Sequence, residues 1–440
     1  MMSIKGRVGT VTGIALFALG VSLLDAGTGT AAELAGVLLR PGAVLDVRTG
    51  SLRDDVAVHV HGDRIVSIGS AGGEDPSDAR VIELPGLTLL PGLIDTHTHL
   101  TYELEDDWIN QAVKENLADL ALRGARNAKR TLMAGFTTVR DVGAWQFSDV
   151  ALARAVERGW IDGPRIMPSG NMIGITGGHC DITGFIPGVR ELGPKDGIAD
   201  GTDEVIKAVR YQIKHGARVI KVCATAGVMS FEHQAGALQY SQAELDAVVE
   251  EARRHDVKVA AHAHGTEGIV AALRAGVASI EHGSMLDDEA IALMTERGTY
   301  LVPTVYTWRV PGDYPEMIQR KIDEIQGFVD GSVRAAILAG VPIAFGTDAG
   351  TFPHGHNARE FKELVELGMT PIESIRSATL YAADLLDVDD RGVIEPGMLA
   401  DLIAVRGNPL EDVTVLEDVP FVMIGGRVVK SPGTERGSAE

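Results

Sequence analysis

The chain has 440 residues, 45% of them hydrophobic and 23% charged, an ordinary globular composition that excludes a fibrous or disordered polymer. Forty Lys plus Arg stand against 61 Asp plus Glu, a net charge of −21, so phosphate backbones and anionic lipid surfaces are poor partners. Two cysteines are too few for a disulfide framework.

Residues 1–32 read as an export signal. Lys5 and Arg7 precede an apolar stretch from Val11 to Leu24, and Thr30, Ala31 and Ala32 put small residues where a signal peptidase cuts. That stretch is too short to span a bilayer of about 30 Å, and an uncleaved anchor is the competing reading. The expectation is a periplasmic or secreted protein that starts near Glu33 and has no membrane contact in its mature form.

In the first end piece, 33–88, residues 36–88 alternate apolar and polar, with a hairpin at Gly62-Asp63 between Val56–Val60 and Arg64–Ile68. The other end, 391–440 with its C-terminal tail, repeats the pattern over 400–430, with Gly425-Gly426 turning Phe421–Ile424 back into Arg427–Val429. Neither end can bury a core alone, so the two are expected to join into one small discontinuous β-sandwich. Between them a helical pattern, a Gly and a β-branched run recur, at Gly135, Gly216, Gly276, Gly298 and Gly340. Eight strands are predicted near Leu87–His97, Phe136–Asp141, Arg165–Gly170, Arg218–Cys223, Val257–Ala263, Ser279–His282, Tyr300–Thr304 and Pro342–Thr347. Eight such units over 89–390 predict an α/β fold, a (β/α)8 TIM barrel. An open doubly wound sheet is the alternative, but no Gly-rich phosphate loop follows any strand. Ser241 with Glu244 forms a capping box before Leu245, Val248, Val249 and Ala252, one apolar helix face.

Candidate chemistry lies at the predicted strand ends, the catalytic face of such a barrel. His97 and His99 are two apart on the first strand and share a side. His262 ends the fifth strand, His282 the sixth, and Asp348 follows the eighth. Imidazoles and a carboxylate converging there are a metal-ligand set. Lys221 lies in an apolar run on the fourth strand, where a free ammonium would be desolvated and repelled by a dication. Its amine carboxylated to a carbamate, N6-carboxylysine, would instead bridge two metals about 3.5–4 Å apart. The competing reading pairs Lys221 with Glu281 or Asp141. His264 shares a side with His262 and either binds a substrate carboxylate or is a hydrogen-bonded loop histidine. Tyr102 and Tyr240 could bond a substrate carboxylate or simply pack. Cys180 and Cys223 fall near the barrel mouth, close enough for a disulfide; two free thiols are the expectation. His59, His61, His215 and His255 read as solvated.

The order His-x-His, Lys, His, His, Asp on strands one, four, five, six and eight resembles the amidohydrolase superfamily over nearly the whole mature chain. Thr176-Gly-Gly-His179, Gly227-Val-Met-Ser230, His356-Asn-Ala-Arg-Glu360 and Gly397-Met-Leu-Ala-Asp-Leu402 resemble its branch of imidazolonepropionase-like hydrolases, prolidase-type dipeptidases and ochratoxin hydrolases. The resemblance implies a first metal on His97, His99 and Asp348, a second on His262 and His282, and Lys221 bridging both. Zn²⁺ suits these ligands best, and manganese or cobalt also fit. It implies that Asp348 moves the proton as general base and then acid, that His179 polarises the carbonyl or contacts substrate, and that the protein is a homo-oligomer. Relatives commonly carry Gly where this chain has Cys180, which leaves the loop conformation and substrate preference open.

The function expected is hydrolysis of an amide to an amino acid, by a dipeptidase or N-acyl amino acid hydrolase whose substrates could extend to ochratoxin-type amides. A cyclic-amide hydrolase is the alternative within hydrolases. A deaminase fits less well, because Ala263 and His264 stand where a Glu is usual. A non-catalytic exported binding protein is the alternative outside enzymes. Glu232 and His233 could bias side-chain choice.

Overall fold

The computed structural model describes residues 36–432 apart from 75, 78, 105–107 and 233. The export segment, His233 and the tail after 432 lie outside the described residues.

The chain opens with β1 (Val37–Asp46), β2 (Ser51–Asp54), β3 (Val56–His61), β4 (Arg64–Ser70) and β5 (Arg80–Pro91). The central strands are β6 (Leu93–Thr98), β7 (Phe136–Asp141), β8 (Arg165–Pro168), β9 (Ile220–Cys223), β10 (Val259–Ala263), β11 (Ser279–His282) and β12 (Tyr300–Val302). The chain closes with β13 (Leu402–Arg406), β14 (Phe421–Ile424) and β15 (Arg427–Lys430).

Both predicted hairpins form, β3–β4 and β14–β15. The two ends join, but as one sheet in the order β15-β14-β13-β5-β1-β3-β4, with β2 added to β1, rather than as two facing sheets. The length of β5 explains this. Its twelve residues pair parallel with β1, from Val37↔Arg80 to Val44↔Leu89, and antiparallel with β13, from Leu402↔Pro91 to Arg406↔Leu87. Leu39, Val58, Leu89, Leu402 and Phe421, drawn from both ends, are buried in one cluster. His59 is half-buried here rather than solvated, because β3 lies between β1 and β4. His61, His215 and His255 are exposed.

The barrel strands are all parallel, in the arcs β6-β7-β8 and β12-β11-β10-β9. The first predicted strand divides at Gly92, which packs against Thr137 where a Cβ has no room, so Leu87–Pro91 belongs to the outer sheet. The expected eighth strand, Pro342–Thr347, is not a regular strand, since Pro342 has no N–H to give a ladder. It still bonds to both neighbours: Leu301 N donates to Pro342 O (2.9 Å), Ala344 N to Leu301 O (3.0 Å) and Thr96 N to Phe345 O (2.8 Å). At the other gap Arg218 N donates to Pro168 O at the end of β8, and past it Ile173 N donates to Lys221 O and Cys223 N to Ile173 O, each at 2.8 Å. Those bonds join the arcs. Outside them the capping box at Ser241 is present, and Leu245, Val248 and Ala252 of the helix Gln242–Arg253 are buried.

Candidate active site

Parallel strands deliver the predicted residues to one end of the barrel. His97 lies on β6 with His99 just beyond it, Lys221 lies on β9, His262 on β10, and His282 is the last residue of β11. His282 and Asp348 hold φ of 70° and 61°, and Thr304, after β12, holds 50°. Left-handed backbone at non-glycine strand ends is strain of the kind found at functional sites.

His97 Nε2 and His99 Nε2 each lie 3.3 Å from Asp348 Oδ1. His97 Nδ1 donates to Glu281 Oε2 (2.7 Å) and His99 Nδ1 to Gly143 O (2.9 Å). Both Nε2 lone pairs therefore face a carboxylate oxygen, and positive charge, from a proton or a metal ion, is needed among the three. Burial alone would raise the Asp348 carboxyl, but His97 and His99 hold it well below the usual range.

His262, His264 and His282 form a second group whose donor atoms lie within 4.8 Å of one another. His282 Nδ1 pairs with Thr304 Oγ1 and His264 Nδ1 with Ser284 Oγ, each at 2.8 Å, which leaves their Nε2 atoms for the site. His262 Nε2 is buried without a hydrogen-bond partner. Burial pushes His264 down to about 3 and His262 and His282 well below 6.5, so these imidazoles are neutral, the form that binds metal. His97, His282 and Asp348 also form a ligand group, which links the two halves of the site. The orphaned His262 nitrogen and the converging Nε2 atoms fit a metal centre.

Lys221, 3% exposed, lines the same cavity. Neither competing partner engages it: Glu281 is bound to His97 and Arg140, while Asp141 accepts from Leu100 N and Gly143 N. Among the described residues the amine makes no hydrogen bond and no ion pair. Burial pushes it down to about 8.

His179 is partly buried, its ring stacked on His262 with centroids 4.3 Å apart. Ser230 Oγ lies 2.8 Å from its Nδ1, and a Cβ on Gly227 would strike the ring. The 227–232 loop is held by Lys321, fully buried, whose Nζ donates to Gly227 O (3.0 Å), Ser230 O (2.7 Å) and Glu232 O (3.1 Å). Glu232 accepts from Gln239 (2.9 Å) and is not among the cavity residues.

Two expectations are corrected. Tyr240 is buried away from the cavity, its hydroxyl donating to Ala199 O at 2.9 Å, because the capped helix that follows draws it into the core. Cys180 and Cys223 are not free thiols but a disulfide, the parallel contact between Ile173 and β9 bringing their Cα atoms to 6.1 Å. Tyr102 does line the cavity, whose volume is about 300 Å³, together with Trp108, Trp145, Phe185, Phe231 and Trp308.

Sequence reasoning missed the residues that orient the imidazoles. Arg140, fully buried on β7, donates to Glu281 Oε1 (2.8 Å), Ser279 Oγ (3.1 Å) and Thr96 O (2.5 Å). Burial would raise the Glu281 carboxyl, but Arg140 and His97 bring it to about 2. A charged residue on a barrel strand, the signal that exposed Lys221, would have found Arg140, while Glu281 entered only as a competing partner of Lys221 and not as the group that orients His97.

A parallel barrel with paired imidazole clusters and a carboxylate at its strand ends is an arrangement that could hold metal ions, as the scaffold of a metal-dependent hydrolase would. Residues 88–429 match the amidohydrolase family, and the chain belongs to that family, whose members are generally metal-dependent. It is 38% identical over 375 residues to ochratoxinase of Aspergillus niger, covering 78% of this chain and 76% of that one. Its fold is similar to a Xaa-Pro dipeptidase crystallised with methionine in the active site (TM-score 0.86, 38% identity, 90% of this chain and 100% of that one). It is also similar to a prolidase complexed with N-methylphosphonate-L-proline (TM-score 0.82, 34% identity, 90% and 100%). The chain is a hydrolase of amide bonds.

Proposed function

We propose that this hydrolase is binuclear, that it releases an amino acid from dipeptides or N-acyl amino acids including bulky aromatic ones, and that Lys221 is carboxylated. Lys221 carries the proposal, being a buried amine without a partner that lines the same cavity as the two ligand groups. An amine near pKa 8 is neutral often enough at pH 7–8 to add carbon dioxide, and the product is an anion suited to bridging two dications. His97, His99 and Asp348 would hold one ion, and His262 and His282 the other, with His264 beside them. When bound, two divalent ions, best Zn²⁺, acidify a water and polarise a carbonyl.

The chain's own groups do the rest. With Ser230 Oγ donating to Nδ1, His179 carries its proton on Nε2 and offers it to the substrate carbonyl oxygen. Burial pushes its pKa down to about 3, so it acts as a neutral donor. Asp348 takes the proton of the attacking water and passes it to the departing amine. The aromatic cavity wall favours large acyl groups or side chains. We also propose that residues 1–32 are cleaved on export, which the mass of the mature protein tests.

The test is a screen of dipeptides and N-acyl amino acids, with metal content measured in wild type and Lys221→Ala. About two equivalents of metal and amide turnover are expected in the wild type. Lys221→Ala should lose metal and activity, with partial recovery in short carboxylic acids. Full activity in Lys221→Ala would overturn the carbamate, and one equivalent of metal the binuclear reading.

A further inference from the structure

Cys180, the residue after His179, is bonded to Cys223, which lies two residues beyond Lys221 on β9. We infer that this disulfide is a positioning pair for His179, holding its loop against the barrel so that Nε2 meets the scissile carbonyl. The inference rests on the hydrolase reading above.

The loop before His179 has much backbone freedom. Gly177 and Gly178 precede it, Gly177 at φ +72°, and no helix or regular strand follows until Thr202. The ring nevertheless sits in a close-fitting slot made by the His262 face, Ser230 Oγ and the side-chain-free Gly227. That slot places Nε2 correctly only if the backbone arrives at the right height. The disulfide supplies the height.

Its far end is well chosen. Cys223 is held to Ile173 by its N–H (2.8 Å), and in the β9–β10 register it lies opposite His262. The disulfide thus closes a short circuit, from His179 to Cys180, across to Cys223, over the ladder to His262, and back through the ring stack. Both cysteines are buried, 2% and 1% exposed, and a Cβ on Gly174 would collide with Cys180. A cross-link serving stability alone has no reason to end opposite the imidazole that His179 stacks on.

The test compares wild type with Cys180→Ala, Cys223→Ala, the double variant, His179→Ala and His179→Ala/Cys180→Ala. Denatured, unreduced wild type should show no free thiol; two thiols would overturn the inference. The three cysteine variants should lose the same factor in kcat, about ten- to a hundredfold, with KM and metal content nearly unchanged. In the His179→Ala background the Cys180→Ala change should have no further effect. Full kcat with only a lower Tm would show a structural bond and overturn the proposal, as would losses that multiply in the His179→Ala background. If wild type cleaves no amide, the hydrolase reading fails separately. The ¹⁵N imidazole signals of His179 then decide: a changed tautomer or broadening in the double cysteine variant supports positioning, and an unchanged spectrum overturns it.

Discussion

His97, His99, His264 and His282 are each aimed by a second partner, and the nitrogen that partner engages leaves the other to face the centre. Glu281 does this for His97, and Arg140 in turn fixes Glu281. The Arg140–Glu281 pair is fully buried, so its value lies in geometry and in mutual charge balance more than in net stability. Glu281→Gln tests this. The amide oxygen can still accept from His97 Nδ1, but the amide nitrogen then faces the Arg140 guanidinium, and one buried cation loses its counter-charge. Metal affinity should fall about 10–100-fold, the usual effect of losing an outer partner of a ligand. Competition with a calibrated chelator measures it, and an unchanged affinity would mean that His97 needs no orienting carboxylate.

At the scale of elements, catalytic placement depends on loops as much as on strands. Lys321, on the long helix Glu316–Ala339, reaches across to three carbonyls of the 227–232 loop, and that loop presents Ser230 and Gly227 to His179. Gly227→Ala puts a methyl group into the His179 ring, which must swing off His262. Turnover should fall at least tenfold while metal content stays near wild type, because no ligand is touched. Metal analysis beside kcat checks this, and joint loss of both would place the loop in the metal site instead. The strands behind these loops were legible because β-branched runs after glycine carry their own signal. Hydrogen-bond partners across loops were not. Ser230, Ser284 and Thr304 are single hydroxyl residues in loops past strand ends, and nothing local says which ring nitrogen each will meet. Tyr240 failed for the converse reason: a tyrosine near the mouth in sequence turned into the core in space. Cys180 and Cys223 stand 43 positions apart, and only the closure between Ile173 and β9 reveals that they meet.

At the scale of the whole molecule, hairpins were readable at both chain ends, but that β5 joins them in one sheet depends on long-range pairing that local pattern does not carry. The same long-range closure buries carboxyl groups that staple strand ends. Asp95 accepts from Thr347 and Asn357, and Glu360 accepts from Val305 N (2.8 Å) and Tyr306 N (2.6 Å). Burial pushes Asp95 up to about 7 and Glu360 up to about 8. A carboxyl with a raised folded pKa holds a proton that the unfolded chain has released. Its stabilisation is fully present below about pH 4 and is lost as pH rises through the folded value. The buried histidines act oppositely: His179, His264 and His354 lie near 3 to 4 when folded, so stability is lost as pH falls below the unfolded 6.5. Metal-free protein should therefore be most stable near pH 6.5 and weaken from there to pH 8. Glu360 contributes at most about 1.4 kcal/mol per pH unit to that decline. Glu360→Gln, less stable at pH 6 because its amide nitrogen opposes a backbone N–H, should show a shallower decline from 6.5 to 8. Urea midpoints at half-unit steps measure both curves, and parallel curves would show that Glu360 is ionised throughout and that its two backbone bonds outweigh its burial.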